Sequence, residues 1–272
     1  MAASGIVAQA RRAVRWGLLL GGLAATGCVG SSFNLATQQQ EYTITSTEQE
    51  VEVGRKVARQ VVDEVAVVAD EPMQQRVRDI GQRIAAVCDR RELVYHFTVI
   101  ADDDVNAFSL PGGYVFLDDG LVKKTANDDE LAGVIAHEVA HIAARHAVKR
   151  YESNLGLQIV QLASLAARRG AATRGLSVAA RVAQLAYARQ DELEADRLAV
   201  RYLQAAGFDP KAMLTFLETL RDLHSDKAQY LPRGVVRPQY ATTHPFVPER
   251  TLAVKEALFG VADYIDYLNA PE

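Results

Sequence analysis

The sequence predicts an α+β domain that is mainly α-helical. Most of the chain consists of stretches in which apolar residues recur at helical spacing behind residues typical of helix N-caps. Three short runs rich in β-branched and aromatic residues lie between two of these stretches, which predicts a small sheet. The 272 residues are 49% hydrophobic and 24% charged, an ordinary globular composition that is neither disordered nor collagen-like.

Charge and cysteine content exclude several classes of protein. The formal net charge is −4, so we expect no nucleic-acid partner bound through bulk basic charge. The two cysteines, Cys28 and Cys88, are too few for a disulfide scaffold or a cysteine-based zinc site. Cys88 lies in an apolar helical stretch, where we expect a buried structural thiol.

The N-terminus is typical of a targeting segment. Arginines in the first 15 residues precede a short apolar stretch, residues 16–25, which is too short to span a bilayer permanently. The following Leu-Ala-Ala-Thr-Gly-Cys resembles the lipobox of bacterial lipoproteins and implies lipidation of Cys28. Ordinary secretory cleavage with an incidental Cys28 is the alternative.

These features give a domain plan and a location. Residues 1–27 are predicted to be a lipoprotein signal peptide, residues 28–46 the lipidated cysteine and a flexible polar tether, and residues 47–272 the folded domain. The chain is then held at the bacterial cell envelope through lipid on Cys28 and faces the periplasm. Val29 after the cysteine resembles outer-membrane sorting.

The first helices are marked by their N-caps. Thr47-Glu48-Gln49-Glu50 has the form of a capping box and predicts a helix to about residue 64. Asp70-Glu71-Pro72 predicts a second helix to about residue 88, because proline is favoured in the first turn.

The three strand-forming runs follow. Residues 94–100 predict one strand, and residues 105–110 and 114–117 predict a hairpin. Pro111-Gly112-Gly113 connects the two arms, and its glycines are free to adopt positive φ.

The remaining elements are helical. Asn127 as N-cap, with Glu130 three residues later, predicts a long helix to about residue 150. Another helix ends at residue 206, where Gly207 is a C-terminal stop, and a last helix covers about residues 249–258.

One motif on the long helix carries the strongest chemical signal. His137 and His141 are four residues apart, so both imidazoles lie on one helix face and can bind one Zn²⁺. Glu138 lies about 100° round the helix, where it can take a proton from a metal-bound water. We expect one zinc ion per chain and a metallohydrolase.

A catalytic zinc needs a third protein ligand. Glu192 and Asp196 share a face of a later helix, so Glu192 can bind the metal while Asp196 accepts a hydrogen bond from a ligand histidine. Helical periodicity alone leaves Glu194 as a close competitor of Glu192.

Three segments together resemble the HtpX and CAAX-prenyl-protease family of zinc metallopeptidases. They are "NAFSLPGGYVFLDDGL" (106–121), "DDELAGVIAHEVAHIAARH" (128–146) and "ARQDELEADRLAV" (188–200). The similarity covers roughly residues 48–260, and the lipoprotein signal points to periplasmic members. The resemblance implies a gluzincin-type fold, with a β-sheet and an edge-strand hairpin beside the HExxH helix.

The resemblance also implies roles for individual residues. Glu192 becomes the third zinc ligand, and Asp196 supports a ligand histidine. His244 lies near the zinc, where it stabilises the oxyanion or regulates access, and Arg250 supports the cleft. The hairpin corresponds to the strand along which the family binds an extended peptide, which gives these candidate substrate-binding residues: Asn106, Ala107, Phe108, Gly112 and Gly113.

The expected function is therefore a zinc endopeptidase of the bacterial envelope. Its substrates would be misfolded or unassembled envelope proteins, cleaved with Glu138 as general base. The alternative is an envelope chaperone or assembly factor that uses the same cleft with little proteolysis.

Overall fold

The computed structural model describes residues 30–153, 187–218, 221, 244 and 248–269. The predicted signal peptide and Cys28 lie outside the described residues. The strands are β1 (Gly30–Asn34), β2 (Gln39–Thr43), β3 (His96–Ile100), β4 (Ala107–Leu110) and β5 (Tyr114–Asp118). The helices are α1 (Thr47–Glu64), α2 (Glu71–Ala85), α3 (Asp119–Lys124), α4 (Asp128–Ala143), α5 (Arg189–Ala206) and α6 (Pro248–Asn269). The predicted mainly helical α+β class is confirmed.

A three-stranded sheet lies beside α4. Its strand order is β3-β5-β4, with β3 parallel and β4 antiparallel to β5. The β4–β5 pair is the predicted hairpin, and Gly112 and Gly113 in its turn have φ angles of 78° and 100°. Strand β4 contacts α4 and forms one edge of the sheet, so an edge strand does lie next to the HExxH helix.

The prediction of a flexible tether is wrong for residues 30–43. Strands β1 and β2 pair antiparallel over this stretch and form a hairpin. The buried Asn34 amide donates hydrogen bonds to Glu41 Oε1 at 2.9 Å and to the Ala143 carbonyl at 3.2 Å. Lys149 also pairs with Glu41, at 2.7 Å. The polar composition that suggested a tether therefore supplies the hydrogen bonds that attach the hairpin to the domain.

The predicted caps hold, with one shift in register. Helix α1 has its capping box at Ser46, whose side chain accepts from the Gln49 backbone N–H while the Gln49 side chain accepts from Ser46 N–H. The sequence placed this box one residue later. Asp70 caps α2 and Asn127 caps α4, as expected.

The long predicted helix is interrupted. Helix α4 ends at Ala143, Arg145 adopts a left-handed conformation with φ 57°, and the chain is helical again over residues 146–153. The ion pairs of Arg145 explain why an arginine tolerates this conformation. Its guanidinium lies 3.3 Å from Glu50 and donates to the Thr45 carbonyl at 2.8 Å.

Helix α4 forms the centre of the core. It packs against α2, α5 and the sheet, and its residues from Glu130 to Ala143 are all buried. The thiol of Cys88 is also fully buried and lies 3.3 Å from the Tyr95 hydroxyl, which confirms the expected structural cysteine. Within the described residues, no helix combines the length and the apolar character needed to cross a bilayer.

Gly54 gives a direct test of how α1 packs on the β4–β5 turn. A Cβ at this position would lie 1.8 Å from the Pro111 carbonyl oxygen. We expect Gly54→Ala to destabilise the fold by about 1–3 kcal/mol through overpacking. Helix propensity alone predicts the opposite, an increase of about 1 kcal/mol in the free energy of unfolding. Urea unfolding of Gly54→Ala beside the exposed-site control Arg59→Ala measures the difference, and a stabilised Gly54→Ala would contradict the packing.

Candidate metal centre

Helix α4 places the two motif histidines side by side. The His137 and His141 rings lie one turn apart, and their Nε2 atoms are separated by 3.0 Å. Both rings are essentially buried. The four-residue spacing on a helix that packs on all sides therefore directs two imidazole nitrogens at one point inside the protein.

Helix α5 contributes a carboxylate to the same point. Glu192 Oε2 lies 3.4 Å from His137 Nε2, and Glu192 Oε1 lies 3.5 Å from His141 Nε2. Glu194 lies elsewhere, against His146. The geometry thus separates the two candidates that periodicity left open, and it is Glu192 that joins the histidines.

A fourth donor completes the cluster. His244 Nδ1 lies 3.0 Å from Glu192 Oε1 and 3.3 Å from His137 Nε2. Donor atoms of His137, His141, Glu192 and His244 all lie within 4.8 Å of one another. Tetrahedral zinc with bonds of about 2.1 Å separates its ligand atoms by about 3.4 Å. The adjacent donor pairs, at 3.0–3.5 Å, fit such an ion.

Glu138 stands beside this cluster without taking part in it. Both of its carboxylate oxygens are buried, and neither has a hydrogen-bond partner among the described residues. Its Oε1 lies 3.4 Å from His244 Nε2. A buried carboxylate without hydrogen bonds is costly, so this group is placed to receive a proton or a water that arrives with the substrate.

Arg250 of α6 holds the Glu192 and Asp196 side chains of α5 in place. Its side chain is fully buried and donates to both oxygens of Asp196, at 2.7 and 2.8 Å. It also pairs with Glu192 Oε2 at 2.9 Å. Asp196 Oδ1 in turn lies 3.0 Å from His137 Nδ1, which leaves the Nε2 lone pair of that ring for a metal.

His141 is oriented by a chain of hydrogen bonds that runs through His146 to Glu194. Its Nδ1 lies 2.8 Å from His146 Nδ1, and His146 Nε2 lies 3.0 Å from Glu194 Oε2. If His141 binds metal through Nε2, its Nδ1–H must donate to His146, whose Nε2–H then donates to Glu194. His146 reaches this position because the left-handed Arg145 turns the chain back, which spacing cannot predict.

Tyr187 covers the cluster on one side. Its ring stacks on His141 with centroids 3.8 Å apart, and the Arg150 guanidinium lies 4.0 Å from its other face. Burial raises the pKa of the Tyr187 phenol, so the hydroxyl is neutral. The metal cluster is therefore shielded from water in this conformation.

The charges of the cluster are set by burial and by its neighbours. Burial opposes protonation of His137, but hydrogen bonds to Asp196 and Glu192 outweigh it and raise its pKa to about 9. Burial lowers the pKa of His141 well below its usual range. For Glu192, the charges of His244 and Arg250 outweigh burial and keep its pKa well below the usual range. Metal binding through His137 therefore releases a proton.

The predicted substrate-binding residues lie at or near the sheet edge. Ala107 and Phe108 belong to β4, and Asn106 immediately precedes it. Gly112 N–H donates to Glu50 Oε1 at 3.2 Å, and the Gly113 carbonyl accepts from the His96 backbone N–H at 2.8 Å. These contacts give the two glycines a structural role, and their part in substrate binding stays a prediction.

The donor set and the adjacent carboxylate define a class of protein, the HExxH zinc metallopeptidases. Residues 71–258 match the model of "Peptidase family M48", which is more than half of the chain. The chain therefore belongs to peptidase family M48. The resemblance seen in the sequence is confirmed.

Curated relatives agree with this assignment. The chain is 33% identical over 216 residues to the beta-barrel assembly-enhancing protease of Escherichia coli (strain K12), which covers 75% of this chain and 42% of that protein. It is 28% identical over 190 residues to the mitochondrial metalloendopeptidase OMA1 of Schizosaccharomyces pombe, 67% of this chain and 52% of that protein. The chain thus spans about half or less of the length of these relatives.

The hydrogen-bond chain behind His141 predicts a loss of zinc affinity on mutation. We expect His146→Ala to weaken zinc binding about 10- to 100-fold, because His141 loses the acceptor that fixes its ring. Glu194→Gln keeps an acceptor for His146 and should change affinity less than Glu194→Ala. Competition with a chromogenic chelator measures affinity without relying on activity.

His96→Ala is the matched control, since His96 is exposed and stacks on Tyr114 outside the cluster. Among these variants, Glu192→Ala should lose the most zinc affinity, because it removes a donor atom itself. Unchanged affinity in His146→Ala, or a larger loss in Glu194→Ala than in Glu192→Ala, would contradict these assignments.

Proposed function

We propose that this chain is a lipid-anchored zinc endopeptidase of the bacterial envelope that cleaves extended segments of misfolded or unassembled envelope proteins. The observation that carries the peptidase mechanism is the position of Glu138. Its carboxylate is buried next to the His137, His141 and Glu192 donors, with no hydrogen-bond partner of its own among the described residues.

Glu138 has the position and chemistry of a general base. Zn²⁺ held by His137, His141 and Glu192 would supply Lewis-acid polarisation of the scissile carbonyl and would lower the pKa of water to about 7. Glu138 accepts a proton from the attacking water and delivers it to the leaving amine. Asp196 and His146 keep the two histidine rings aligned while this proton moves.

His244 regulates the same centre. Its Nδ1 lies among the other three donors, where a substrate or water would otherwise be. A centre with four protein donors has no open position, so the His244 ring withdraws before peptide enters. Stabilisation of the oxyanion is the alternative role that the resemblance implies for His244.

An extended peptide fits the edge of the sheet. Strand β4 is paired on one side with β5 and is the last strand of the sheet, so a substrate can add as a further strand. Asn106, Ala107 and Phe108 are the residues that would lie beside the added substrate strand. Recognition through the main chain favours unfolded segments over any particular sequence.

The location and substrate class rest on the sequence and on the relatives. The lipobox-like segment before Cys28 supports an anchor at the periplasmic face of a membrane, with Val29 favouring the outer membrane. The name of one relative, beta-barrel assembly-enhancing protease, refers to the assembly of β-barrels and supports this assignment. Unassembled envelope proteins are therefore the substrates we assign.

An assembly factor with little proteolysis is the second candidate. The observation in its favour is that His137, His141, Glu192 and His244 are all buried, with Tyr187 stacked over His141. Suppression of aggregation of an unfolded envelope protein by Glu138→Gln separates this role from proteolysis, because the variant would bind without cleaving.

Glu138→Gln tests the mechanism. We expect it to retain one zinc per chain and to lose cleavage of an unfolded protein by about 100- to 10,000-fold, since the amide cannot accept the proton. Metal analysis and gel-based cleavage measure the two properties. The surface variant Glu52→Gln serves as control and should match the wild type. Cleavage retained by Glu138→Gln would refute the general-base role.

His244→Ala tests the regulation. Three donors remain, so the variant should keep its zinc and open a coordination position. We expect cleavage of an unfolded protein to rise at least several-fold, whereas a residue needed for the oxyanion would cause a loss. Initial cleavage rates at matched zinc content decide between the two roles.

A further inference from the structure

The N-terminal hairpin has an exposed apolar face. Strand pairing puts Ser31, Phe33, Gln40 and Tyr42 on the side that points away from the domain, and Ile44 follows in the chain. The exposed fractions of Phe33, Tyr42 and Ile44 are 54%, 72% and 54%. We refer to these three residues as the hairpin face.

This exposure is concentrated rather than scattered. Among the described residues, eight large hydrophobic side chains are strongly exposed, and the three of the hairpin face together with Leu35 make up half of them. The other outward positions, Ser31 and Gln40, carry no charge. Apolar patches of this kind mark interaction sites in soluble domains.

The opposite side of the hairpin is fixed to the domain. The Asn34 amide donates to the Ala143 carbonyl at 3.2 Å, at the C-terminal end of α4. The Glu152 carboxylate accepts from the backbone N–H groups of Ile44 and Thr45 at 3.1 and 2.9 Å. The hairpin face is therefore held in a set orientation relative to the helix that carries the metal ligands.

The position of the hairpin in the chain identifies what covers this face. Only Val29 separates Cys28 from Gly30, the first residue of β1. Two residues reach at most about 7 Å, so a lipid on Cys28 holds β1 at the bilayer surface. Aromatic and aliphatic side chains are favoured there, and the Tyr42 hydroxyl suits the headgroup level.

We propose that the hairpin face lies against the phospholipid bilayer in which the Cys28 lipid is anchored, and that it thereby holds the metal centre close to the membrane surface. The inference rests on the proposed lipid anchor. His141 is two residues before Ala143, about 3 Å along the helix axis, so the catalytic centre is held near the bilayer. The enzyme would then meet membrane-adjacent segments of its substrates first.

A single tryptophan can report on this contact. The chain contains one tryptophan, Trp16, which lies in the predicted signal peptide. Lipidated, processed Tyr42→Trp would therefore carry a unique fluorophore on the hairpin face, and Phe33→Trp provides a second one. Val94→Trp is the matched control, because Val94 is 71% exposed outside the hairpin, before β3.

Each variant is produced as the full chain in a bacterial host, purified and reconstituted into phosphatidylethanolamine–phosphatidylglycerol vesicles with or without brominated acyl chains. We expect Tyr42→Trp and Phe33→Trp to emit at shorter wavelength than Val94→Trp. Bromine should quench them at least about twofold more strongly, since interfacial side chains lie about 5–10 Å into the headgroup and acyl boundary. Wild-type rates of cleavage of a soluble unfolded protein verify that each variant is folded.

The outcomes distinguish the bilayer contact of the hairpin face from the lipid anchor on Cys28. Vesicle-bound protein with equally weak quenching at all three positions overturns the membrane contact alone. A short emission wavelength at residue 42 without bromine quenching also overturns it, because protein rather than lipid then covers the face. Failure to float with vesicles, with Trp16 emission retained in the wild type, refutes the lipid anchor and this inference together.

Discussion

The buried guanidinium of Arg250 determines where the Glu192 and Asp196 carboxylates lie. It pairs with both oxygens of Asp196 and with one oxygen of Glu192, and none of the three side chains reaches solvent. Charges buried to this extent are tolerated only in a well-matched network. Loss of Arg250 would leave two carboxylates uncompensated next to the metal ligands. The C-terminal helix α6 is thus coupled to the chemistry on α4, although it contributes no metal donor of its own.

The two ligand histidines are oriented in different ways. His137 is supported by a carboxylate, Asp196, which is itself fixed by Arg250. His141 is supported by an imidazole, His146, whose far nitrogen contacts Glu194 on the partly exposed side of α5. A carboxylate partner makes a ligand histidine more basic than an imidazole partner does. Burial opposes protonation of both rings, but hydrogen bonds to Asp196 and Glu192 raise the pKa of His137, whereas burial lowers the pKa of His141.

Much of this arrangement follows from local sequence signals. The caps at Asp70 and Asn127 and the β4–β5 hairpin depend on short-range hydrogen bonds and turn geometry, so the sequence alone predicts them. The N-terminal hairpin does not, because the contacts that attach it to the domain come from α4 and the chain that follows α4. The partners of His146 could not be predicted from local sequence signals for a similar reason. It depends on a left-handed Arg145 that is stabilised by Glu50, far away in the sequence.

Arg145 contacts elements that lie about 100 residues earlier in the chain. Its backbone reverses the chain so that His146 supports His141, while its guanidinium binds the end of the N-terminal hairpin and the start of α1. A displacement of the hairpin is therefore transmitted to the turn that positions a metal ligand. A bilayer that contacts the hairpin face would act on the same turn, which links the orientation of the domain to the alignment of His141.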